Sequence, residues 1–173
     1  MKFVQSVLIS SLVLGGHFLS TPANAQESTV SCEAGNTGAA LLVNVENIRT
    51  EEGNLRAQVY SSNPDDFLAK GKKLVRLDVP VTTAGEQAMC VQLPGAGKYA
   101  LVIMHDKNAN GKADFFSEGF GFSRNPKLGL GAPDAEEVIM EMPAGVTETT
   151  VRLKYILGGD DEKKEKRRKL RRR

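Results

Sequence analysis

The chain has 173 residues, 40% hydrophobic and 25% charged, with a formal net charge of +2, two cysteines, two histidines and no tryptophan. That length suits one domain with a real core, and beyond one apolar run near the N-terminus no stretch could cross a bilayer. Neither cysteine has a CxxC partner or a neighbouring histidine, which argues against redox catalysis and zinc binding.

Residues 1–25 read as a signal peptide. Met1 and Lys2 form a short positive region, Val4 to Leu14 is mostly apolar, and Ala23-Asn24-Ala25 is a small-residue cleavage site before Gln26. Gly15, Gly16 and His17 interrupt the run before the roughly 20 apolar residues that a membrane span needs. The expected localisation is export, to a periplasm or outside the cell. In such a compartment Cys32 and Cys90 are expected to form a disulfide, with two buried thiols as the alternative. The chain-entropy model credits closure of so long a loop with about 4 kcal/mol.

Residues 26–38 lead into a mildly acidic body, 39–157, whose periodicity is that of strands. Ala39 to Glu46 alternates, with Leu41, Val43 and Val45 on one face. Leu55, Ala57 and Val59 alternate against Arg56 and Gln58, and Glu52-Gly53-Asn54 has the composition of a hairpin turn, so these two strands are expected to pair. Asn63-Pro64-Asp65-Asp66 breaks the pattern, with Phe67 and Leu68 expected on a short helical turn over one end of the core. Val75, Leu77 and Val79 alternate up to Pro80; Met89, Val91 and Leu93 do so with Cys90 on the opposite face.

Tyr99 to Met104 is apolar on both faces, as a central strand must be. The turn before it and its early tyrosine resemble the corner of Ig-like sandwiches, where the hydroxyl returns to nearby backbone. Phe115, Phe116, Phe120 and Phe122 follow a polar loop, then comes a Gly/Pro-rich connection from Pro126 to Pro133. A last hairpin is expected, Ala135 to Met142 and Val146 to Leu157 around Pro143-Ala144-Gly145, with Val151, Leu153, Tyr155 and Leu157 on one face and Arg152 and Lys154 on the other. The fold class is all-β: a single Ig-like or prealbumin-like antiparallel two-sheet sandwich of about seven strands, with a small β-barrel as the alternative.

The polar loop is His105 to Asp114. Asp106, Asn108 and Asn110 alternate, Gly111 follows, and Asp114 closes the run. Ca²⁺ takes roughly six to eight oxygens, and a calcium loop supplies them from positions one, three and five, a glycine turn at six and a carbonyl at seven, here that of Lys112. Asp106, Asn108, Asn110, Lys112 and Asp114 are therefore the candidate metal site. Tight turns use the same residue types, because Asx side chains cap their own backbone and glycine takes positive φ. An EF-hand also requires a glutamate at position twelve, where Ser117 stands with Glu118 one place late, and a helix rather than a strand before the loop. The expectation is a static calcium brace of modest affinity, roughly 10⁻⁴ to 10⁻³ M.

Leu93 to Ser123, LPGAGKYALVIMHDKNANGKADFFSEGFGFS, resembles the signature of a bacterial exported family catalogued as domain of unknown function 2141. The resemblance covers about Ala39 to Tyr155, the final VRLKY strand included. It implies an exported β-sandwich and no established activity.

Catalysis is not expected, although His105, Asp106, Asp114 and Glu118 are the residues that a hydrolase or metal-dependent enzyme would use. The body holds one histidine and lacks a Gly-x-Ser-x-Gly elbow, an HExxH motif and a P-loop. A binding module would present Phe120 and Phe122 to a glycan, a peptide or an envelope protein; the simpler reading buries them. Residues 158–173, DDEKKEKRRKLRRR after Gly158-Gly159, read as a disordered basic tail with the composition to hold an anionic membrane surface or a polyanion; export argues against nucleic acid as the partner.

Overall fold

A computed structural model describes residues 32–33, 37–129 and 131–156. The expected signal peptide, the basic tail and Leu157 lie outside them. Nine strands are described: β1 (Ala39–Ile48), β2 (Asn54–Ser61), β3 (Val75–Pro80), β4 (Gly85–Gln92), β5 (Gly97–Asp106), β6 (Gly119–Phe122), β7 (Ile139–Met142), β8 (Gly145–Arg152) and β9 (Lys154–Tyr155). They form two sheets, β4-β1-β8 and β3-β2-β5-β6-β9, with β7 sharing an edge of β5 with β6. The architecture is the expected sandwich, and the sheets do not close into a barrel. No helix among the described residues is long and apolar enough to cross a membrane.

Two expected pairings are corrected. β1 and β2 do not form a hairpin: β1 pairs with β4 and, in parallel, with β8, while β2 pairs with β3 and β5. Glu52-Gly53-Asn54 thus carries the chain across the sandwich. The last hairpin is absent in the same way, since β7 joins β5 and β8 joins β1, and Ala135–Val138 is a turn of helix, α1, closed by an Asp134–Glu137 capping box. The alternations themselves hold, because each strand still buries one face in a common core.

That core lies between the sheets. Leu41, Val43, Val45, Met89, Val91 and Val151 meet Leu55, Ala57, Val59, Leu101 and Ile103, all fully or almost fully buried. Arg152 and Lys154 stay exposed while Val151 and Leu153 are buried, as the alternation requires. β5 is apolar on its other face too, where Ala100 and Val102 join Tyr60, Phe122 and Val138 of α1 in a second cluster. Phe67 packs on this cluster from just after a 3-10 turn at Pro64–Asp66, whereas Leu68 is exposed. The expected tyrosine corner is present: Tyr99 Oη donates to the Gly95 carbonyl at 3.1 Å.

Cys32 and Cys90 form a disulfide. Cys90 faces away from the core, opposite Met89 and Val91, so the bond ties the lead segment to the outside of the smaller sheet.

Candidate metal loop and the strand ends that hold it

β5 ends in His105 and Asp106, both fully buried and pointing to opposite faces of the sheet. His105 faces the core side. Its Nε2 lies 2.8 Å from the Glu52 carbonyl, which can only accept, so the ring proton sits on Nε2 and Nδ1 accepts from Tyr155 Oη at 2.7 Å. The Tyr155 oxygen accepts in turn from the Arg49 backbone N–H at 3.3 Å. Burial holds the His105 pKa below the usual histidine value, so the ring is neutral. Both nitrogens are engaged, which leaves no lone pair for a metal and no N–H for a substrate.

Asp106 faces the other way and organises the loop. Its Oδ1 accepts from Asn110 N at 3.1 Å; its Oδ2 accepts from Gly111 N at 2.8 Å and from Arg56 Nη2 at 3.1 Å. Asn110 N is shared with Asn108 Oδ1 at 3.0 Å, so the first two candidate oxygens converge on one N–H. Asn110 Oδ1 accepts from Lys112 N at 2.7 Å, and Gly111 takes the positive φ of 77° expected at position six. Gly53, at φ 73°, closes the loop from below: a Cβ there would lie 2.0 Å from the Asp106 carbonyl oxygen.

The fifth expected residue sits apart. Asp114 is exposed, and its Oδ1 accepts from Phe116 N at 3.1 Å. The Ser117 hydroxyl, then the Phe116 N–H, hold its carboxyl below the usual aspartate range. The carboxylate that faces Asp106 is Glu118. His105 pairs with Gly119 across the β5–β6 ladder, which puts Glu118 in line with Asp106. Glu118 is fully buried; Oε2 accepts from Asp114 N at 2.9 Å, and Oε1 has no hydrogen-bond partner. Burial raises its pKa first; the nearby Asp106 and Asp114 carboxylates and a side-chain hydrogen bond with Asp106 raise it further, against the bond from Asp114 N.

Sequence reading placed Glu118 one residue too late for a calcium loop. The missing signal is the register: a glutamate just before the strand that returns along β5 must land opposite the loop's first aspartate. Arg56 was also missed, since the polar member of an alternation reads as solvent-facing. It is 3% exposed, with Nε 2.6 Å from Asp78 Oδ1 as well as its contact to Asp106. Arg76 Nε meets the other Asp78 oxygen at 3.0 Å. Among the described residues no cluster of three His, Cys, Asp or Glu side chains is close enough to hold a metal, so any site here must draw on the asparagines and backbone.

Gly119 and Gly121 alternate with Phe120 and Phe122 on β6. A Cβ on Gly119 would sit 2.5 Å from the ring of its ladder partner Tyr155 and one on Gly121 2.5 Å from Val151 of β8 in the facing sheet, so only glycine leaves room for both side chains. The phenylalanines take the opposite face. Phe122 is buried and Phe120 half-buried, while Phe115 stacks on Phe120 at 4.8 Å and, like Phe116, remains exposed.

Searches of curated proteins and of solved structures return no match. A family model described as an uncharacterised protein conserved in bacteria, DUF2141, matches residues 43–150, from the middle of β1 into β8 and across the whole β5–loop–β6 unit. With well over half its length matched, the chain belongs to the DUF2141 family.

Proposed function

We propose that the chain is an exported, non-catalytic β-sandwich module that binds Ca²⁺ at the loop after its central strand and acts in envelope binding or structure. The observation that supports the metal is the Glu118 oxygen, buried beside the Asp106 carboxyl and without a hydrogen-bond donor when both groups are ionised. A buried anion in that condition costs several kcal/mol by ordinary solvation arguments, and a divalent cation removes the cost. Asp106 Oδ1 has one backbone donor and keeps a lone pair. The ligands are then Asp106, Asn108, Asn110, the Lys112 carbonyl and Glu118. Asp114 holds position nine, a place that calcium loops commonly fill through water. Arg56 balances part of the negative charge and keeps the affinity modest.

The disulfide supports an oxidising compartment. The engaged nitrogens of His105 support a structural role for the body's histidine. Calorimetric melting tests the metal directly. At 10 mM calcium the melting temperature rises by roughly 5 °C over that in chelator, and Glu118→Gln abolishes the rise; an equal melting temperature with and without calcium sinks the proposal.

A further inference from the structure

The outer face of the larger sheet is covered unevenly. α1 and Phe67 close the Ala100 end, and the rest is a groove of about 780 Å³ walled by the metal loop on one side and by Leu128, Gly129 and Ala132 on the other. We infer that this groove binds a single-chain amphiphilic carboxylate of the long-chain fatty acid class. The volume lies within the roughly 300–1,000 Å³ of small-molecule sites.

The floor sets the body of the ligand. Leu68, Phe115, Phe120, Leu128 and Ile156 supply accessible apolar surface, above the buried Val102, Met104 and Phe122. Several polar groups beside them are already engaged inside the protein: the Gln58 side-chain oxygen accepts from Tyr60 Oη at 2.8 Å, Arg56 is held between Asp78 and Asp106, and Tyr155 Oη donates to His105. A sugar or a peptide carries many more hydroxyls or amides than this lining can pair, at about 1–3 kcal/mol for each left without a partner. β5 carries β2 on one side and β6 and β7 on the other, so its ladder offers no free edge for an added strand. An alkyl chain meets neither obstacle.

The rim sets the head group. Lys73, Arg76 and Lys154 border the groove and no carboxylate lines it. Among the described residues Lys73 and Lys154 form no salt bridge; Lys73 instead lies over the Tyr60 ring, 5.9 Å from its centre. Arg76 uses Nε on Asp78, and its Nη2 lies 3.6 Å from where a Gly111 Cβ would stand, at the mouth beside the loop. The cations on β3 and β9 are four strand spacings apart, about 19 Å. A chain laid across the sheet therefore finds a cation at either end.

The test uses the full chain, titrated by calorimetry with hexadecanoate, with hexadecanol and with a lysophosphatidylcholine of the same chain length. Calcium is chelated throughout, because calcium soaps precipitate; a failed calcium melt therefore leaves this result standing, and the reverse also holds. Hexadecanoate is expected to bind saturably at one per chain, at least tenfold tighter than either other probe. Ala132→Trp, an exposed position that fills the groove away from the metal loop, is expected to weaken it at least tenfold with the melting temperature unchanged. Lys73→Glu with Lys154→Glu is expected to weaken hexadecanoate about tenfold and to leave hexadecanol alone. No saturable hexadecanoate binding, equal affinity for acid and alcohol, or indifference to Ala132→Trp each overturns the assignment.

Discussion

The two faces of β5 solve the same problem differently. Residues 99, 101, 103 and 105 face the smaller sheet, and every polar atom that they bring is satisfied within the protein: Tyr99 by Gly95 at one end, His105 by Glu52 and Tyr155 at the other. Residues 100, 102, 104 and 106 face outward, into a second apolar cluster that ends in two buried carboxyls, Asp106, which Arg56 meets, and Glu118, which it does not. The inner face is complete as folded. The outer face has an oxygen without a donor and, above its buried residues, a groove edged by exposed apolar side chains such as Phe115 and Ile156, which is what a surface built to receive something would show.

Core truncation separates the faces most strongly. Leu101→Ala removes a fully buried side chain between the sheets and is expected to cost about 3–4 kcal/mol in urea unfolding, because two packed sheets cannot collapse into the cavity. Val102→Ala, beside the groove, is expected to cost about 1 kcal/mol. Equal losses would mean that both faces are packed alike and would count against the groove.

The next contrast lies at the strand ends. His105→Phe leaves the Glu52 carbonyl without the ring donor and the Tyr155 hydroxyl proton without an acceptor, and is expected to cost about 2 kcal/mol. It also removes a pH dependence. The His105 pKa is lowered by folding, so the unfolded chain binds its proton first, and stability falls as pH drops below the ordinary histidine value of 6.5. Unfolding midpoints from pH 7.5 to 5 should fall for the native sequence and flatten for the variant.

Glu118 has the opposite sign. Its pKa is raised by folding, so the calcium-free protein holds that proton more tightly than the unfolded chain, and its stabilising effect is lost as pH rises above the ordinary glutamate value of 4.5. Glu118→Gln should therefore stabilise the chelated protein at neutral pH, by about 1 kcal/mol. A variant less stable than the native sequence in chelator would show that the glutamate is satisfied without a metal.

The sequence shows faces clearly and neighbours poorly. Leu41, Val43 and Val45, like Leu55, Ala57 and Val59, alternate because one side of each strand is buried; the same pattern results whether the two strands pair or look at each other across the core. Pro143-Ala144-Gly145 misleads for the same reason, since a tight connection can cross between sheets as readily as it can turn within one. The unbroken run from Tyr99 to Met104 was legible because only a strand covered on both sides is apolar on both. Within the site, Asp106, Asn108 and Asn110 were legible by spacing, being local. Glu118 and Arg56 depend on strand register, which spacing along the chain does not encode.

The smallest expected effect tests whether the inner face needs its polar termini at all. Tyr99 keeps its ring against the core, so Tyr99→Phe removes one hydroxyl and no packing. A neutral hydrogen bond contributes about 0.5–1.5 kcal/mol net, and Gly95 lies in an open turn where a Cβ would touch nothing, so water can replace the lost donor. The loss should fall at the low end, about 0.5 kcal/mol. Its location is more telling than its size. Hydrogen exchange should quicken in the Pro94–Gly97 turn and the first residues of β5, while the amides of Asn110 and Gly111 at the far end keep their protection. If protection falls at both ends, β5 is a single rod whose corner sets the metal loop, and the two faces are not independent.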